Sequence, residues 1–324
     1  MAADDSKPLP DLAVAVRGLT KVYGRGGVRA LDSLDLAVPR GALFGLLGPN
    51  GAGKSTLINI LGGLVIKSAG TAHIWDIDID RDPRNARAAI GIVPQELNLD
   101  VFATPREALE MQAGLYAVPR AERRTAEILE ILGLTDKADA YARTLSGGMR
   151  RRLLIGKAMV HSPPVLVLDE PTAGVDVELR EQLWESLRGL NRDGTTVILT
   201  THNLDEAQAL CGHIAIIDRG RVIADEATST LLGRLDDKRL RITLDRPVDD
   251  LPGSLAGFPV ERERPDAFAV RYRPSRTTAG AILEAARAAG LAVRDLSTEE
   301  PDLEGVFRHL TRKAAAQPAA GGVE

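Results

Sequence analysis

Nine consecutive residues, Gly48, Pro49, Asn50, Gly51, Ala52, Gly53, Lys54, Ser55 and Thr56, are where residue type and spacing most directly specify chemistry in this 324-residue chain. They satisfy G-x-x-x-x-G-K-[ST], a loop suited to holding a string of phosphates. Glycines let main-chain N–H groups curl around phosphate oxygens without a Cβ in the way, and a following helix adds the positive end of its dipole. Lys54 supplies a full charge. Ser55 offers a hydroxyl to Mg²⁺, which bridges phosphate oxygens and neutralises charge during phosphoryl transfer. The bland alternative is an accidental glycine-rich turn, which ordinary residue frequencies would produce about once in a hundred chains of this length. ATP with Mg²⁺ is therefore the expected ligand.

A second concentration of chemistry follows the apolar run Val165–Leu168, where Asp169 and Glu170 precede Pro171. Ligands of open α/β sheets bind at the carboxyl ends of strands, so this acidic pair stands where a nucleotide would lie. Side chains alternate along a strand, so one carboxylate, Asp169, is expected to hold the metal through water. The other, Glu170, is then free to act as general base on the attacking water. Without a phosphate loop the pair would read as a turn or helix cap. His202, in Thr200-Thr201-His202 after the next apolar run, can reach the γ-phosphate from the same edge. Gln95, after Gly91-Ile92-Val93-Pro94, sits on a turn where it could ligate Mg²⁺ or sense it. Ser146, before Gly147, Gly148 and Met149, is a helix N-cap with main-chain amides behind it, either a plain cap or a second anion site. The run Arg150, Arg151 and Arg152 reads as a solvated helix surface.

These groups need a scaffold, and the patterning supplies one. Leu12–Arg17 alternates and Leu34–Val38 follows beyond a turn at Gly24–Gly27, an antiparallel lead-in. Ala42–Leu47 is a continuous apolar run feeding the loop, with a helix from Lys54. Val165–Leu168, Thr196–Leu199 and Ile214–Ile217 alternate with helical patterns such as Val177–Leu190 and Leu204–Leu210. Strands alternating with helices give an α/β fold with a mostly parallel sheet. Residues of about 103–160 form a helical subdomain, and beyond about residue 236 the pattern becomes a small C-terminal α+β domain: strands Lys238–Leu244 and Ala267–Arg273, a helix Ala279–Ala289, a strand Leu291–Leu296 and a helix Asp302–Arg312. The expected organisation is a disordered start over 1–11, an ATP-binding domain over 12–235, the accessory domain over 236–313 and a disordered tail over 314–324.

Composition narrows the function classes. Hydrophobic residues at 44% and charged residues at 27% describe a globular chain able to bury a core. A net charge of −4 carries no basic footprint, so nucleic acid is not expected as a partner. The single cysteine, Cys211, cannot form an internal disulfide. Leu57–Ile66 is far shorter than the roughly 20 residues of a membrane span and reads as a buried helix, and no secretory signal opens the chain, so a cytoplasmic location is expected. Asp76–Asp80 begins like a calcium loop, but Arg81 and Arg87 stand where glycine and glutamate are required, and the segment reads as an alternating strand. The histidines lack ligand spacing with Cys211, which argues against zinc.

Taken together, the residues 48–56, Val93-Pro94-Gln95, Leu145–Met149, Val165–Pro171 and His202 resemble the ATP-binding subunit of ABC transporters, in the order and approximate spacing of that family. The resemblance spans about residues 12–235 and implies a P-loop NTPase cassette. It implies that Tyr23 stacks on adenine, that Gln95 contacts magnesium and feels the membrane partner, and that Asp176 belongs to a segment exchanged between subunits. It implies two subunits head to tail, with Ser146, Gly147 and Gly148 of one closing over the ATP held by Lys54 of the other. One chain has one phosphate loop and no internal repeat, so a homodimer, or a heterodimer with a related ATPase, is required. Met149 departs from the glutamine usual at the signature's fifth position. The sequences around Asp176, Ser146–Leu153 and Pro301–Phe307 resemble the ATPases paired with ABC-2-type export permeases, a group handling drugs, polyketides, glycolipids or polysaccharides. An integral-membrane permease is then the implied partner, with this chain peripheral on the inner face of the cell membrane. A soluble ATPase acting on DNA or ribosomes would carry a long coiled coil or two cassettes, and a regulatory nucleotide switch would lack Glu170.

Overall fold

Apolar alternation and glycine placement in this chain resolve, in a computed structural model, into two compact units, Met1–Thr228 with Leu310–Glu324, and Ser229–His309. The structure describes residues 9–24, 27–96, 98–172, 177–234, 238–248, 257–299 and 302–316. The expectations for residues 1–8, for 317–324 and for Asp176 fall outside these.

The first unit runs β1 (Leu12–Val22), β2 (Arg29–Pro39), β3 (Leu43–Leu47), α1 (Lys54–Leu61), β4 (Ala69–Ile74), β5 (Ile77–Asp78), α2 (Pro83–Ala88) and β6 (Ile90–Val93). It continues through α3 (Pro105–Leu115), α4 (Thr125–Ile131), α5 (Gly147–Met159), β7 (Val165–Asp169), α6 (Val177–Arg192), β8 (Thr196–Thr200), α7 (Leu204–Leu210), β9 (His213–Asp218) and β10 (Arg221–Ala227), with α8 (Thr228–Gly233) after it. In β2, Leu34, Leu36 and Val38 are buried while Ser33, Asp35 and Ala37 face solvent, the pattern of a sheet with one wet face. That sheet is antiparallel, in the order β2–β1–β4–β5. The central strands differ. Every residue of β3 and β8 is buried, as suits a sheet covered on both sides, and the order is β10–β9–β3–β8–β7–β6.

Pairing of β3 with β8, β8 with β7 and β7 with β6 is parallel. Parallel strands deliver their carboxyl ends to one edge, so the phosphate loop, Asp169-Glu170, Thr201-His202 and Pro94-Gln95 gather there. Beside the sheet, α3 starts at Pro105 behind a capping box of Thr104 and Glu107 and packs with α4 and α5. Gly156 permits that packing, since a Cβ there would meet Leu132 Cδ1 at 2.7 Å.

Two local expectations change. The run Leu57–Ile66 is not one buried helix: α1 stops at Leu61, Gly63 turns the chain at φ 72, and Leu64 and Ile66 are 77% and 84% exposed. Asp76–Asp80 is not an alternating strand either. Trp75 and Asp76 take φ of 52 and 66 as the two loop residues of a hairpin that pairs Ile74 with Ile77, leaving strand only at Ile77–Asp78.

At the far end of α5, His161 stacks on Tyr116 with centroids 3.7 Å apart and planes 2° from parallel, and its Nε2 lies 3.2 Å from the Ile90 carbonyl. Burial pushes the imidazole pKa down to about 4, the Ile90 contact opposing weakly. The unfolded chain takes up this proton below about pH 6.5 and the folded chain only near its lowered value, so stability is lost as pH falls through that window. His161→Phe keeps an aromatic stack but cannot titrate. Urea denaturation at about pH 7.5 and pH 5 is expected to show the parent losing about 2 kcal/mol more than the variant. Equal losses in both would contradict a neutral buried imidazole.

The second unit contains β11 (Lys238–Leu244), β12 (Val260–Arg264), β13 (Ala267–Tyr272), α9 (Ala279–Ala288) and β14 (Val293–Glu299), and α10 (Leu303–Ala316) follows. Its antiparallel sheet, β12–β13–β11–β14, buries Leu240, Ile242, Phe268 and Val270 with Ile282 and Ala286 of α9. Arg239 and Arg241 pair with Glu299 on the adjacent β14 and reach across β13 to Glu261 and Glu263 on β12.

Candidate functional site

Gly53 ends the phosphate loop at φ 110, and a Cβ on it would sit 2.5 Å from the Ala30 carbonyl oxygen. Only glycine tolerates both the left-handed backbone and this approach of β2. The helix that follows begins at Lys54, whose side chain turns back and donates to the carbonyls of Gly48, at 2.6 Å, and Pro49, at 3.2 Å. Burial lowers the pKa of this ammonium, while Glu170 and Asp169 oppose the shift. A buried cation held by two carbonyls between N–H-rich backbone and carboxylates is a place for a polyanion.

Asp169 is the last residue of β7, and the hydroxyl of Thr200, on the neighbouring strand end, donates to its Oδ1. Glu170 leaves the strand with φ 47, a left-handed conformation costing a non-glycine residue on the order of 1 kcal/mol. Its N–H donates to the Thr200 carbonyl and hydroxyl oxygens, both at 3.1 Å, which holds the strained backbone. The Glu170 carboxylate has a neighbour on each oxygen: Gln95 Nε2 donates to Oε2 at 2.9 Å, and His202 Nδ1 lies 3.2 Å from Oε1. A carboxylate so flanked can accept a proton once one neighbour withdraws.

Beneath this edge lies Glu206, 2% exposed. It accepts from Thr172 Oγ1 at 2.6 Å, Thr201 Oγ1 at 3.3 Å and Asn203 Nδ2 at 3.3 Å, and pairs with Arg180 at 3.3 Å. This braces the residues on both sides of His202. Sequence reasoning missed Thr200 and Glu206; the Thr-Thr-His run at a strand end was the available signal for the first. The arginine run also differs from expectation. Arg151 is 4% exposed and bonds backbone carbonyls, and Arg152 donates to the Leu132 carbonyl. They point toward protein because α5 is covered on those faces.

A cleft of about 450 Å³ brings together Asn50, Gly51, Ala52, Gly53, Lys54, Ser55, Thr56, Gln95, Asp169, Glu170 and His202, with Ala30. Gly48 and Pro49 border it through the Lys54 contacts. Tyr23 does not line this cleft; it is 42% exposed, with the Lys21 ammonium 4.8 Å from its ring centroid. Ser146, Gly147 and Gly148 are also outside it. Ser146 caps α5, its hydroxyl accepting from Met149 N–H at 3.3 Å, and Ser146 and Gly147 are exposed. A larger cavity, about 650 Å³, opens near Gly41, Pro164 and Thr195, where the parallel strands begin. It lies at the opposite edge from the gathered chemistry.

The profile of the ABC transporter family matches residues 31–173. The chain is 41% identical over 310 residues to the daunorubicin/doxorubicin resistance ATP-binding protein of Streptomyces peucetius, covering 93% of each. It is 44% identical over 213 residues to the Nod factor export ATP-binding protein I of Ralstonia nicotianae, covering 65% of this chain and 66% of that one. Among solved structures, a dimeric ATP-binding cassette in a post-hydrolysis state with ADP and Pi matches with a TM-score of 0.59 at 30% identity, over 66% of this chain and 98% of that one.

Proposed function

We propose, from the premise that this chain belongs to the ABC transporter family, that Lys54, Gln95, Asp169, Glu170 and His202 form its hydrolytic centre and that it drives an ABC-2-type exporter. As a member of that family the chain binds and hydrolyses ATP, and subunits of this kind work with membrane permeases. One observation carries the site reading: the Glu170 carboxylate, bonded by Gln95, shares a single cleft with Lys54 and Ser55.

Each residue has a task that follows from its placement. Lys54 exchanges the Gly48 and Pro49 carbonyls for the terminal phosphates, and the loop amides around Asn50–Thr56 take up the remaining oxygens. The Ser55 hydroxyl, the Gln95 amide oxygen and, through water, Asp169 would hold Mg²⁺, being the hard oxygen donors that suit it. Bound there, the ion neutralises phosphate charge. Glu170 takes a proton from the attacking water after Gln95 or His202 releases one of its oxygens, and His202 turns to the γ-phosphate.

A second copy, identical or related, completes the site in this reading. Ser146, Gly147 and Gly148 lie outside their own cleft yet begin a capped helix, which supports their closing over the nucleotide of the partner, with Asp176 at the exchange between subunits. Tyr23, 42% exposed with the Lys21 ammonium over its ring, offers an aromatic surface for adenine.

Among the described residues no helix is long and apolar enough to cross a membrane. The names of the relatives speak of drug resistance and Nod factor export, which favours export and a peripheral place on the inner membrane face through a permease. Affinity isolation from detergent-solubilised membranes is expected to recover the chain with a polytopic membrane protein that raises its ATP turnover. Recovery with ribosomes or DNA in place of such a protein would remove the transport reading.

A further inference from the structure

Arg151 stands on the second turn of α5 and makes contacts that its sequence neighbours do not. Its Nε donates to the Pro171 carbonyl at 2.9 Å and its Nη1 to those of Pro94, at 2.9 Å, and Gln95, at 2.7 Å. Its Nη2 donates to the carbonyls of Asp169, at 3.3 Å, and Glu170. All five N–H bonds of the guanidinium are thereby matched to five main-chain oxygens from two separate segments. Among the described residues no carboxylate is bonded to it. Burial lowers its pKa, and the charges of Asp169 and Glu170 oppose this. A cation sunk at this junction without a bonded anion is costly unless the carbonyls it organises matter.

We propose that Arg151 is a positioning residue for hydrolysis: its planar fork ties the Gln95 turn and the Asp169-Glu170 strand end to the helix that Ser146 caps. In this way it fixes the left-handed Glu170 backbone and the separation between Gln95 and the Glu170 carboxylate. The proposal rests on the reading of Glu170 as the base. Lysine cannot replace the fork, because a point charge on a flexible stem reaches one segment at a time. Among the described residues Arg151 bonds nothing in β3, the phosphate loop or α1, so the grip of Lys54 and the loop amides on the nucleotide is independent of it, whatever it does to the Mg²⁺ donors Gln95 and Asp169. The consequence is a split that a purely structural role does not produce: chemistry slows while nucleotide affinity holds.

The test uses the full chain carrying Arg151→Lys or Arg151→Met, each alone and combined with Glu170→Gln, measuring steady-state ATP turnover and, without Mg²⁺, affinity for trinitrophenyl-ATP. Both single variants are expected to lose about 10-fold to 100-fold in kcat, with affinity within about threefold of the parent. Added to Glu170→Gln, either is expected to change residual turnover by less than about twofold, because its effect runs through Glu170. If Arg151→Met does not fold, Arg151→Lys decides. Parental kcat in Arg151→Lys overturns the proposal, as does affinity falling in step with kcat, a fully multiplicative loss in the double variant, or a lysine variant that fails to fold. Glu170→Gln with parental turnover removes the base assignment and this proposal together, whereas an inactive Glu170→Gln beside a fully active Arg151→Lys removes this proposal alone.

Discussion

Replacing Lys54 by alanine is expected to lower ATP turnover by about 10²–10³-fold and to weaken ATP affinity by at least about tenfold. Lys54 is 8% exposed, and burial already lowers the pKa of its ammonium. It is therefore held ready at a desolvation cost that only a phosphate chain repays in full. A charge-assisted hydrogen bond is worth about 1.5–3 kcal/mol, and charge that grows in the transition state in a water-poor site raises the loss to about 3–4 kcal/mol. The nucleotide-free protein tells folding apart from function. Removing Lys54 takes away two bonds to Gly48 and Pro49 carbonyls but also relieves a buried charge, so the unfolding temperature without nucleotide should move by only a few degrees. The discriminating measurement is the shift of that temperature on adding ATP, large in the parent and nearly absent in the variant. Parental turnover in Lys54→Ala would take the phosphate-loop reading with it.

The parts of the molecule legible in the sequence are those where local pattern and tertiary demand agree. Ala42–Leu47, Val165–Leu168 and Thr196–Leu199 are unbroken apolar runs, which two-sided burial requires, and the loops after them inherit their position from parallel pairing. That Asp169 and Glu170 have different neighbours was legible in the sequence, but the cause was not. Strand alternation predicts it, whereas the structure achieves it by ending β7 at Asp169 and turning Glu170 into a left-handed conformation pinned by Thr200. Arg150, Arg151 and Arg152 are alike as letters, and which of them is buried depends on where two distant carbonyl-bearing segments come to rest. Periodicity has no access to that. Glu206 is hidden for the same reason, since its partners Thr172, Thr201 and Arg180 come from different elements. Leu64 and Ile66 misled in the opposite direction: apolar letters after Leu61 lie past a glycine turn and face outward.

Glu170→Gln isolates the proton-accepting step, because it changes charge and basicity with almost no change in shape. Two neighbours constrain the outcome. The carboxylate accepts from Gln95 on one oxygen and faces His202 Nδ1 with the other, and a glutamine can satisfy both only by keeping its carbonyl toward Gln95 and offering its amide N–H to an unprotonated Nδ1. Imidazole allows this by moving its proton to the other nitrogen, so the bracket survives without an anion at its centre. Nucleotide affinity rests on Lys54 and the loop amides, which the substitution leaves in place, and loss of a negative charge beside the γ-phosphate can only favour ATP. Turnover is thus expected to fall by about 10²–10⁴-fold, the usual scale for losing a general base, with affinity equal to the parent or higher. ATP that binds and is not cleaved should hold two chains together, giving a dimer in size-exclusion chromatography with ATP and Mg²⁺ that the parent shows only transiently. Hydrolysis at the parental rate would strip Glu170 of its role while leaving the Lys54 result intact. Lost hydrolysis accompanied by lost binding would mean instead that the carboxylate holds the loop together, a structural duty that the bonds from Gln95, His202 and Thr200 do not suggest.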